Sequence, residues 1–157
     1  MNRSFITFAA AVLTLAATPA LCAEPSPLAG GKALYEKTCA TCHPLERSLA
    51  KKADKAGWES TIKKMVANGA KLDESQSGLI LGYLTAKSAF ETKCNTCHDL
   101  QRPLVSIKNP EQWQATVLRM SAMKPGPITD ADAGAITLYL SLVTPVKPAA
   151  PAAPAYK

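Results

Sequence analysis

Cys39-Ala40-Thr41-Cys42-His43 returns later in the chain as Cys94-Asn95-Thr96-Cys97-His98. Two cysteines separated by two residues and followed at once by a histidine form the attachment sequence of c-type haem. Each cysteine sulfur adds across one vinyl group of the porphyrin, and the adjacent imidazole reaches the iron as proximal ligand. The pattern predicts two covalently bound haem c groups. Cys39 and Cys42 would hold one with His43 on its iron, and Cys94 and Cys97 the other with His98. The rival readings of C-x-x-C are a thiol redox pair and half of a zinc site. A zinc site would gather all four cysteines and leave two identically placed histidines to coincidence.

Shifted by the 55 positions between Cys39 and Cys94, the chain aligns with itself well beyond the motifs. Between residues 35–65 and 90–120 the pairs Glu36/Glu91, Leu45/Leu100, Arg47/Arg102, Leu49/Leu104, Trp58/Trp113, Thr61/Thr116 and Met65/Met120 are identical. A slip of one residue follows, since Tyr83-Leu84 corresponds to Tyr139-Leu140. A fixed internal period means duplicated units. The expected organisation is a signal peptide over 1–23, a first domain over 27–85, a second over 86–144 and a Pro/Ala-rich tail over 145–157. Units this small are marginal without a staple. A covalently held, largely apolar disc would serve as one in each unit, so the unloaded chain is expected to fold poorly.

The first 23 residues read as an export signal: Arg3, an apolar run from Phe5 to Ala17, then Leu21-Cys22-Ala23 before Glu24. The run is too short to cross a bilayer. Leu21 is bulky where a lipoprotein signal has a small residue, which argues against lipidation of Cys22. With Cys22 removed, the remaining four cysteines all lie in the two motifs, and no structural disulfide can form even in an oxidising compartment. Export to the periplasm agrees with haem attachment. Loss of Arg3 takes the formal charge from +6 to +5, and haem propionates reduce it further, so the charge is no argument for nucleic acid. Lys51, Lys52, Lys55, Lys63 and Lys64 form a solvated face able to steer an acidic protein partner. No second segment is apolar enough to cross a membrane, so stable membrane insertion after signal cleavage is not expected.

The fold class expected is all-α. Gly31 to Thr38 leads into the first motif, and Trp58, Ile62, Met65 and Val66 fall at helical spacing up to the stop at Asn68-Gly69. Asp73 or Ser75 can cap the next helix, which carries Leu79, Ile80, Tyr83 and Leu84. The second unit repeats this with Trp113, Val117 and Met120, a break at Pro125-Gly126-Pro127, then Thr129 or Asp130 before Ile136 and Tyr139. No proline or turn cluster separates the units around Thr85 to Ala89. A single helix is therefore expected from about Glu74 to Lys93.

An aromatic-bearing helix, CxxCH, a downstream methionine and a final helix with Tyr-Leu together resemble the class I cytochrome c fold, present twice as tandem helical domains around one haem each. The order Arg, Trp, Met after CxxCH is also similar to dihaem c-type cytochromes and to the dihaem subunit of quinohemoprotein amine dehydrogenase. The resemblance implies crossed first and last helices, with Tyr35 against Tyr83 and Phe90 against Tyr139. It further implies that a carbonyl at Pro110, or at its counterpart Lys55, receives the proximal imidazole N–H. The methionine follows its histidine more closely here than in long mitochondrial-type cytochromes.

Both histidines of the chain are spent as proximal ligands, so bis-histidine ligation within one chain is excluded. The sixth ligand is then Met, Lys, an external molecule or nothing. Met65 is the candidate in the first unit; Met120, or otherwise Met123, in the second. Against ligation stands plain core packing beside Ile62 and Val117. Arg47 and Arg102 offer guanidinium forks to haem propionates, with solvated surface arginine as the alternative. Trp58 and Trp113 are read as lining the haem pockets, and less strongly as placing an indole N–H near a propionate.

These residues imply a non-enzymatic periplasmic protein that passes single electrons between transiently docked redox partners. His/Met ligation would saturate the iron and raise its potential. The alternatives are the cytochrome subunit of a larger dehydrogenase, or a dihaem enzyme such as a peroxidase, which lacks here a third histidine for acid–base work.

Overall fold

The computed structural model describes residues 26–146, and within them every regular element is helical. The helices are α1 (Pro27–Cys39), α2 (Glu46–Leu49), α3 (Lys55–Ala67), α4 (Glu74–Lys93), α5 (Gln101–Leu104), α6 (Pro110–Met123) and α7 (Asp130–Val143), with a 3-10 turn at Cys94–Thr96. The export signal over 1–23 and the tail beyond Val146 lie outside the described residues.

Caps set the helix boundaries. Ser26 accepts from the Ala29 N–H and Pro27 occupies the first turn, so α1 begins four residues before the expected Gly31. Proline belongs there because its missing N–H would have no intrahelical partner. Asp54 accepts from the Gly57 N–H at 2.8 Å and starts α3 at Lys55, before the expected Trp58. Of the two cap candidates at each later helix, the structure uses Asp73 for α4 and Thr129 for α7, each in a reciprocal capping box. Gly69 and Gly126 take positive φ values of 105° and 108°, closing α3 and the turn after α6 in a conformation open to glycine. The short helices α2 and α5 have no sequence signal of their own.

The long helix is present over Glu74–Lys93, and the division between residues 85 and 86 falls inside it. α4 packs on α1, α3 and α7, α6 packs on α7, and one hydrophobic cluster runs through all of them. At the α1–α4 crossing the Gly31 backbone lies on that of Leu79, where a Cβ would stand 2.2 Å from the Leu79 carbonyl oxygen. Tyr35 and Tyr83 meet with centroids 5.6 Å apart, and Phe90 and Tyr139 at 5.3 Å. A third contact, Tyr83 to Tyr139 at 6.2 Å, joins the two pairs into one aromatic ladder. Lys87, buried and paired with Glu91, donates to the Leu49 carbonyl at 3.2 Å and ties α4 to the end of α2.

Candidate haem-binding site

Each CxxCH motif begins where a helix ends. Cys39 is the last residue of α1, and Cys94 is the C-cap of α4 and opens the 3-10 turn. Helical backbone holds the first cysteine of each motif half-buried against the core, while Cys42 and Cys97 lie exposed in the turn that follows. Burial raises the Cys39 thiol pKa, helped by the neighbouring Cys42, and pushes Cys94 up to about 11. A thiol redox pair needs the opposite, a thiolate stabilised near neutral pH. Among the described residues no three His, Cys, Asp or Glu side chains converge on a point able to hold a metal ion, so the four cysteines do not form a zinc-type cluster.

The imidazoles are set by the backbone beside them. His43 Nδ1 lies 3.2 Å from the Pro44 carbonyl oxygen and His98 Nδ1 lies 2.9 Å from that of Asp99. A carbonyl can only accept, so in these contacts Nδ1 carries the proton and Nε2 keeps a free lone pair for a metal. The acceptors differ from the expected Lys55 and Pro110. Those two residues open α3 and α6, where first-turn carbonyls enter the helical hydrogen-bond ladder.

In the first half of the molecule the candidate residues converge. Cys39, Cys42, His43, Arg47, Trp58 and Met65 all line one cavity of about 910 Å³, within the size range of ligand pockets. Tyr35, Ile62, Ile80 and Leu84 contribute its apolar wall, and Arg47, Lys51 and Lys64 supply the charge. Among the described residues no carboxylate lines it. Two cysteines, an imidazole and a thioether around an apolar cavity edged by cations fit haem c. Met65 stands two turns after Trp58 on the same helix, half-buried.

In the second half, Trp113 is buried and Met120 half-buried on α6, again two turns apart, while His98 and Arg102 are exposed. Met123, the last residue of α6, is 75% exposed, against half-buried Met120.

The tryptophans differ from expectation in one respect. Each indole N–H is taken by a hydroxyl of the protein: Trp58 donates to Ser88 Oγ at 2.7 Å and Trp113 to Thr144 Oγ1 at 2.9 Å. A buried indole N–H needs a partner, and these meet the need without a propionate. An ammonium also lies over each ring, Lys51 at 5.4 Å from Trp58 and Lys108 at 5.5 Å from Trp113. In the sequence Lys51 is legible only as part of a solvated face, and Lys108, Ser88 and Thr144 carry no signal of this role. Lys51 aligns with Ser106 and Lys108 with Ala53, so the repeat hides them. Ser88 and Thr144 do correspond once the one-residue slip is followed, although the residue type changes.

No helix among the described residues is long and apolar enough to cross a membrane. The family model described as Cytochrome C oxidase, cbb3-type, subunit III matches residues 26–77. No curated protein and no solved structure matches the chain. Over residues 26–77, which contain the first CxxCH motif, Trp58 and Met65, the chain is similar to a c-type cytochrome domain, a module of haem-based electron transfer.

Proposed function

We propose that the protein is an exported dihaem c-type cytochrome that carries single electrons between redox partners in the periplasm and is not itself an enzyme. The observation that carries this reading is the cavity in which Cys39, Cys42, His43 and Met65 meet. Bound there, haem c supplies one-electron redox chemistry, while the chain supplies attachment, burial and ligands. Cys39 and Cys42 would hold the group covalently, and His43 Nε2 and Met65 would ligate its iron. Cys94, Cys97, His98 and Met120 would do the same in the second half, a role supported by the identical spacing of the two sets. Arg47 and Arg102 would pair with the propionates. With His43 and Met65, and likewise His98 and Met120, as its ligands, the group would have no coordination site open to a substrate.

The cationic edge formed by Arg47, Lys51 and Lys64 favours an acidic partner docked briefly at the first site. Its association rate should fall steeply with ionic strength. A second reading, a cytochrome subunit of a larger redox complex, is favoured by the matched family description, which names a subunit. The native mass of the protein isolated from its own cells separates the two.

The test of the main reading is the spectrum and haem content of the purified holoprotein. Two covalent haems per chain, low-spin and six-coordinate iron, and a ferric sulfur–iron band toward the red are expected. One haem per chain, or a high-spin signal from either, would defeat it.

A further inference from the structure

The two buried indole-to-hydroxyl bonds do more than satisfy the tryptophans. Trp58 and Trp113 are each 1% exposed, Ser88 3% and Thr144 6%. The bonds span residue separations of 30 and 31, joining α3 to α4 and α6 to the C-cap of α7. Among the described residues each is the one side-chain hydrogen bond between its two elements. Thr144 Oγ1 donates its own proton to the Leu140 carbonyl at 2.6 Å, which turns a lone pair toward the indole. On α3 and on α6 the tryptophan stands two turns before Met65 or Met120, on one face of the helix. Whatever fixes the tryptophan against the helix behind it therefore fixes how far the methionine reaches into its site. In the first half this is explicit, because Trp58 and Met65 line the same cavity.

We propose that Ser88 and Thr144 are positioning residues, each latching a tryptophan so that Met65 and Met120 are held on the iron. The proposal rests on the reading of those methionines as distal ligands. Removal of the hydroxyl leaves an indole N–H buried without a partner. The strain is relieved if the helix moves outward to let the N–H reach water, and that movement withdraws the methionine. The ligand-off state gains weight, and an added ligand competes more easily at that site alone.

The experiment titrates imidazole into ferric holoprotein and follows each haem spectroscopically, together with the sulfur–iron band and the two reduction potentials. Ser88→Ala is expected to raise imidazole affinity about tenfold at one haem, equivalent to 1.4 kcal/mol, and to lower one potential. Thr144→Val, which keeps the shape of threonine, is expected to do the same at the other haem. Ser88→Thr and Thr144→Ser, which exchange the hydroxyl residues of the two halves, should restore unmodified behaviour. If Ser88→Ala does not accumulate, Thr144→Val puts the same question to the second site. Unchanged affinity, or an equal rise at both haems, overturns the latch while leaving the carrier reading intact. Absence of the sulfur–iron band in the unmodified protein overturns the methionine reading and the latch with it.

Discussion

Gly31 sits where two helix backbones touch, and its neighbour Gly30 does not. A Cβ at 31 would meet the Leu79 carbonyl group, which cannot swing aside, whereas a Cβ at 30 finds nothing within 4 Å. Gly31→Ala should therefore open the α1–α4 crossing and lower stability by about 3 kcal/mol, the upper part of the usual overpacking range. Gly30→Ala should raise stability by up to about 1 kcal/mol through helix propensity. Urea unfolding of the two holoproteins checks this, and equal effects would contradict the close approach. At the methionines the expected outcomes also diverge. If they are ligands, Met65→Ala and Met120→Ala should each remove half of the sulfur–iron band, lower one potential and open one haem to cyanide. If they are only core residues, each variant loses about 2–5 kcal/mol with the band intact. Met123→Ala, at an exposed position, should leave the spectrum unchanged; loss of the second band there would transfer the role from Met120.

α4 is the element on which the molecule depends most. Its first half packs on α1, its second half carries Ser88, Lys87 and Phe90, and its end presents Cys94. Eight of its residues are buried, and they lie on more than one side because helices pack around it. A proline at its centre removes a hydrogen bond and clashes with the preceding turn. Ala86→Pro, at a position 1% exposed, should cost about 3 kcal/mol or more. It should also shift unfolding of both halves together. Tryptophan fluorescence in Trp58→Phe and Trp113→Phe backgrounds reports each half in turn, and melting of one half alone would show that α4 does not couple them.

At the scale of the whole molecule, the aromatic ladder is the continuous part of the core that joins the halves. Burial raises the pKa of the Tyr83 phenol, and pushes that of Tyr139 up to about 12 with help from the Glu91 carboxylate, against an ordinary value of 10.0. The folded state thus holds these protons more tightly than the unfolded chain does. Their contribution to stability is full below pH 10.0 and is lost as pH rises toward about 12. Alkaline unfolding is expected in that window, and Tyr139→Phe should move its midpoint to higher pH. Helicity measured against pH, with tyrosinate absorbance alongside, tests this; an unmoved midpoint in Tyr139→Phe would sink it.

The sequence alone determined what local chemistry and periodicity can encode. The CxxCH spacing points to haem c because attachment needs adjacent residues at one spacing, and the family match over residues 26–77 agrees with it for the first motif. The caps and apolar spacing define the long helices, and the lack of any breaker between Thr85 and Ala89 made α4 one helix. Tyr35 with Tyr83 and Phe90 with Tyr139 were legible through the resemblance. The four-residue helices α2 and α5 were not, since neither has a side-chain cap or a periodic face long enough to read. Which carbonyl each imidazole faces is decided by how the turn after the motif closes, since each acceptor is the next residue in the chain, and only the tertiary structure decided the rest. It decided the fate of the indole N–H groups and the Tyr83–Tyr139 contact. These join residues far apart in sequence, and their partners are chosen by how α1, α3 and α7 pack on α4 and how α6 packs on α7, which no local pattern records.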